Sequence, residues 1–195
     1  GARRPEDIYL DLVSIWKEPT RLVLGSQEPA TILNDPVQWP ELRDFEQRML
    51  YLDTMTYLPD DILVKVDRAA MGVSLETRVP LLDHCLVEFA WQLPLNMKIR
   101  DGQGKWLLKQ LLYRYVPQEL VDRPKMGFGV PLDAWLRGPL KDWAESMIDT
   151  KQLKQQGYLN PALVGDKWRQ HQSGRRNESR ALWSVLMFQA WLAEQ

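Results

Sequence analysis

Three groups of residues have the types and spacing for chemistry. Lys105 and Lys109 lie one helical turn apart in Gly104-Lys105-Trp106-Leu107-Leu108-Lys109. A cation at a helix start opposes the macrodipole, and like charges at i,i+4 cost a few tenths of a kcal/mol. An anion held between them would relieve both conflicts. Two solvated surface lysines are the plainer reading of that pair taken alone. Lys125 sits in Arg123-Pro124-Lys125-Met126-Gly127-Phe128-Gly129. Its glycines let backbone approach a ligand closely, and the lysine brings a point charge on a flexible stem. Pro117 breaks the intervening helix, so the chain can double back and bring the Lys105 and Lys125 ammonium groups to one polyphosphate. The third group is Asp60-Asp61 at a helix start, followed by Lys65, Asp67 and Arg68. Paired carboxylates near a cationic site can hold Mg²⁺ or move a proton. On spacing alone, capping by Asp60 and an i,i+4 ion pair between Asp61 and Lys65 are favoured.

The remaining polar residues read as structural. Glu76 and Arg78 are expected to form ion pairs around the Val79-Pro80 bend. Cys85 lies in an apolar stretch and is assigned to the core. His84, beside the Asp83 cap, is a surface or hydrogen-bonding residue, and His171 belongs to a polar helix end. Arg175, Arg176 and Arg180 form a small solvated patch.

The elements that must position these groups are helical. Apolar spacing predicts helices over 7–17, 41–57, about 60–71, 84–92, 105–115, 118–121, 132–137, 139–149, 160–172 and 177–194. Gly72 ends one of them and Asp83 caps another. Gly102-Gln103-Gly104 reads as a turn, and almost no stretch reads as strand. The class is mainly α, a single helical domain over 1–195, with 1–40 an irregular connecting segment and 41–195 helical.

Composition narrows the classes further. The 195 residues carry 25 Lys plus Arg against 26 Asp plus Glu, a net charge of −1, which argues against a general nucleic-acid binder. One cysteine and two histidines exclude a disulfide framework and multi-Cys or multi-His metal sites, so no metal site is assigned. Nothing approaches a membrane span, and the lone cysteine suits a reducing, cytoplasmic setting.

Taken together, the segments resemble the C-terminal part of the synthetase domain of the glutamine-hydrolysing asparagine synthetases. The words that carry the resemblance are Asp67-Arg68-Ala69-Ala70-Met71-Gly72-Val73-Ser74, Leu75-Glu76-Thr77-Arg78-Val79-Pro80-Leu81-Leu82-Asp83, Gly104 to Lys109, and Arg123 to Pro131, in family order over about residues 47–140. The resemblance implies the helical portion of an adenine nucleotide α-hydrolase-like (PP-loop ATP pyrophosphatase) domain. It also implies an ATP-dependent amidotransferase that activates a carboxylate, aspartate first among the choices, as an acyl-AMP. Ammonia from a glutaminase domain then displaces AMP, giving the amide, AMP and Mg²⁺-bound pyrophosphate. Lys105 would hold the β/γ-phosphates, Lys125 the α-phosphate, and Asp61 the proton of the attacking nitrogen, with Asp60 second and Asp67 third for that role. The family's Ser-Gly-Gly-x-Asp-Ser loop and glutaminase cysteine are missing from these residues, so the chain is expected to be a fragment, inactive alone. A homodimer is compatible with this reading. A sugar acid is the rival acceptor, and a non-catalytic helical interaction fragment is the rival class.

Overall fold

The computed structural model describes residues 5–124 and 129–195. The chain divides into two compact units, one containing residues 5–35 and 129–195, the other 36–124. The first unit begins with α1 (Pro5–Val13) and the short α2 (Pro19–Leu22). The helix expected over 7–17 therefore stops at Val13, and Trp16 beyond it turns inward to donate Nε1–H to Ser184 Oγ at 2.9 Å.

The second unit contains α3 (Phe45–Met55), a π-helical segment (Leu58–Leu63) running into α4 (Val64–Met71), and a 3₁₀ turn (Pro80–Leu82). It continues with α5 (His84–Gln92), α6 (Leu95–Lys98), β1 (Ile99–Arg100), β2 (Gln103–Gly104), α7 (Trp106–Leu112) and α8 (Gln118–Val121). Asp83 caps α5 as expected, accepting the Cys85 N–H at 3.0 Å. Gly72 does end α4, but in right-handed geometry; the left-handed residue is Ser74, φ 60°.

The turn expected at 102–104 is a hairpin. Ile99 pairs with Gly104 and Arg100 with Gln103, antiparallel. Asp101 and Gly102 both take positive φ, 52° and 73°, the backbone of a type I′ turn. Asp-Gly is a strong hairpin signal, but strands of two residues are too short to show alternation.

The chain then returns to the first unit with α9 (Leu132–Arg137), α10 (Lys141–Met147), α11 (Thr150–Gln156), α12 (Pro161–Gln172) and α13 (Ser179–Ala193). The predicted helix 139–149 ends at Met147, and α11 is an addition. Asp149 caps α11 by accepting from Lys151 and Gln152 N–H, and Gly157 closes it in the left-handed region. Asn160 caps α12 through Ala162 and Leu163 N–H, with Pro161 at the first helical position.

Burial is unequal. The main apolar cluster lies in the first unit: Leu136, Leu153, Leu182 and Leu186 are 0–1% exposed, ringed by Trp143, Trp168 and Trp183. Among the described residues of 36–124, Leu52 alone is a buried hydrophobic, while Phe89, Leu108, Leu111 and Tyr115 stand exposed. That unit consists of short helices with apolar faces that it does not itself cover. Among the described residues no helix is long and apolar enough to cross a membrane.

Candidate functional site

Lys105 does not open its helix; it precedes it. It occupies the N-cap position of α7 with φ 60° and ψ 31°, left-handed backbone that a side chain makes costly, of order 1–3 kcal/mol. Two neighbours hold it there. The I′ hairpin delivers the chain directly to Gly104, and the Arg100 guanidinium stacks 3.6 Å from the centre of the Trp106 ring, tying hairpin to helix. The Lys105 side chain is exposed and makes no hydrogen bond or ion pair among the described residues.

Lys109 has a different job from the one its spacing suggests. Its Nζ donates to Asp122 Oδ1 at 2.7 Å, while Tyr113 Oη–H and Gln118 Nε2–H both donate to Asp122 Oδ2 at 2.8 Å. These donors, Lys109 first, hold the Asp122 carboxyl down at a pKa of about 2. The same hydrogen bond raises the Lys109 pKa. The like-charge pair is therefore resolved inside the protein, leaving Lys105 as the uncompensated cation of the two. The Asp122 knot fastens α7 and α8 to the residue immediately before Arg123-Pro124-Lys125. Lys125 itself lies outside the described residues.

The Asp60-Asp61 pair sits in the π-helical segment. An i→i+5 turn is rare and recurs at functional sites. Asp61 Oδ1 meets Lys65 Nζ at 3.0 Å, the ion pair its spacing predicts; Asp60 and Asp67 are exposed. Glu76 and Arg78 are joined at 2.7 Å, also as expected. Two histidine and cysteine expectations need correction. Cys85 is exposed, with Sγ 3.4 Å from His84 Nε2, because the apolar face of α5 has no layer over it in 36–124. His171 is fully buried, since the α12–α13 turn folds over the helix end. Its Nδ1 accepts the Glu178 N–H at 3.3 Å, and Arg137 Nε donates to its carbonyl at 2.8 Å. Burial first, then Arg137, pushes the His171 pKa down.

Among the described residues no cluster of three side chains suits Mg²⁺. That ion takes hard oxygen ligands in octahedral array. The one cluster of three candidate ligands among the described residues, Asp83, His84 and Cys85, offers a thiol and an imidazole.

The sequence profile of one family, asparagine synthase, matches residues 1–193. The chain belongs to the asparagine synthase family. Within it, the chain is 33% identical over 144 residues to asparagine synthetase 1 (glutamine-hydrolyzing) of Bacillus subtilis, covering 74% of this chain and 22% of that protein. It is 40% identical over 148 residues to a "putative asparagine synthetase (glutamine-hydrolyzing)" of Mycobacterium tuberculosis H37Rv, 75% of this chain and 22% of that one. It thus spans about a fifth of the length of these family members. No solved structure matches the chain. Asparagine synthase membership agrees with the ordered words that contain Asp67, Glu76, Lys105 and Lys125.

Proposed function

We propose that this chain is the phosphate-clamping helical part of an ATP-dependent amidotransferase, which activates a carboxylate, aspartate first, as an acyl-AMP. The observation that carries the proposal is Lys105: a lysine without an internal anion, held in costly left-handed backbone by a hairpin and a stacked Arg100–Trp106 pair. Membership in the asparagine synthase family supports it. In the reaction, a carboxylate oxygen attacks the α-phosphorus of ATP and the α–β bridging oxygen leaves with pyrophosphate. Ammonia then attacks the acyl carbon, and AMP departs. Negative charge builds on the phosphates in flight, so fixed cations there lower the barrier by a few kcal/mol each. Lys105 binds the β/γ-phosphates; Lys125 neutralises the α-phosphate and the leaving pyrophosphate. Asp61, 3.0 Å from Lys65 Nζ, takes the proton that ammonia sheds, handing it on through solvent.

The adenine-binding sheet of a PP-loop fold would lie over the apolar faces that 36–124 leave open, so the chain alone is inactive in this reading. The test is aspartate-dependent exchange of labelled pyrophosphate into ATP by the complete polypeptide. Lys105→Ala should raise KM for ATP and lower exchange by 10²-fold or more, and Lys125→Ala should lower kcat more than KM. Unchanged exchange in both variants would leave only a scaffold role. Exchange driven by uronic acids and not by aspartate would move the acceptor to sugar acids.

A further inference from the structure

Residues 36–124 contain a cavity of about 240 Å³ that the proposed reaction does not use. Leu58 of the π segment, Leu81 and Leu82 of the 3₁₀ turn, Val87 and Trp91 of α5, and Lys98 at the end of α6 line it. The wall is hydrocarbon and indole, with Thr54 as its single hydroxyl. Lys98 supplies its single charge. The Lys98 ammonium has no carboxylate partner among the described residues; it lies 5.0 Å from the centre of the Trp91 ring. Partial burial also lowers its pKa.

Lys98, with no carboxylate partner among the described residues, can take an anion at the mouth of this cavity, and the wall offers apolar surface beside it. We infer that this cavity binds a small amphipathic monocarboxylate, its hydrocarbon body against Leu58, Leu81, Leu82 and Val87 and its carboxylate on Lys98 Nζ. A phosphate dianion is disfavoured, because the lining offers neither an Arg fork nor a second lysine. An uncharged apolar molecule would leave Lys98 as it stands, so charge complementarity selects the acid. The cavity is near the small end of ligand pockets, roughly 300–1,000 Å³, which favours short chains or a single ring.

Calorimetric titration of the complete polypeptide with butyrate, hexanoate and octanoate, and with 1-octanol and octylamine, tests this. Affinity should rise by up to about fourfold per added methylene. Octanoate should exceed octylamine at least tenfold. Lys98→Met, which keeps the stem and removes the charge, should weaken octanoate about tenfold and leave 1-octanol unchanged; Leu82→Trp should weaken both. The idea fails if octylamine or 1-octanol binds the unaltered chain as tightly as octanoate. It fails equally if octanoate gives no saturable heat, a result that depends on no variant.

Discussion

Lys109 and Asp122, thirteen residues apart, are joined at 2.7 Å, and the carboxylate that joins them also accepts from Tyr113 and Gln118. The knot lies at the end of α8, so it sets where Arg123-Pro124 leave that helix. Asp122→Asn should lower the urea midpoint at neutral pH. The sign with pH follows from the depressed carboxyl. Its folded pKa, about 2, lies below the ordinary 3.8, so its stabilisation is complete above about pH 4 and lost as pH falls toward 2. The gap between wild type and Asp122→Asn should therefore close across that window. A gap constant from pH 7 to 2 would show that the ionised carboxylate is not what stabilises the turn.

His171 governs a second pH window. Its folded pKa is below the ordinary 6.5, so the unfolded chain takes up a proton first. Stability should be full above pH 6.5 and fall as pH drops below it. The Nδ1 lone pair that would accept the proton already faces the Glu178 N–H. His171→Asn keeps an acceptor at that place and does not titrate. Its thermal midpoint should lack the fall that wild type is expected to show as pH drops below 6.5.

Asn160 should matter beyond its size. It caps α12 through two N–H groups, and its Nδ2 donates to the Arg21 carbonyl at 3.3 Å. Asn160→Ala should cost about 1 kcal/mol, within the 0.5–2 kcal/mol range for lost caps. Asn160→Asp should recover the capping share and not the Arg21 contact. Equal losses in the two variants, measured by denaturant unfolding, would assign the effect to Arg21.

The uneven core makes a paired prediction. Leu182, 0% exposed, should cost about 2–5 kcal/mol on truncation to Ala. Phe89, 54% exposed, should cost under about 0.5 kcal/mol in this chain. In the complete polypeptide Phe89→Ala should cost several times more, if the face is covered there. Equal small costs in both settings would show that the face stays open.

Much of the local structure was readable from residue types. Asp83 and Pro117 mark boundaries because a side-chain acceptor or a missing N–H acts within a few residues. The Asp61–Lys65 and Glu76–Arg78 pairs were readable for the same reason: their partners are near in sequence. α11 escaped because Leu153 is its single apolar residue, too few for periodicity, although Asp149 and Gly157 frame it. Cys85 and Lys98 were misread or overlooked because apolar spacing names a face without naming what lies against it.

The sequence by itself determined the helical class, the Asp83 cap and the ordered words shared with the asparagine synthase family, since each depends on contacts or patterns within a short stretch of chain. Only the tertiary structure decided that Lys109 is neutralised by Asp122 while Lys105 stands free, and that His171 is buried. It alone showed that 36–124 bury so little of their own apolar surface. Those outcomes depend on which remote groups meet, and the pairing of side chains across turns is set by packing, to which local spacing is blind.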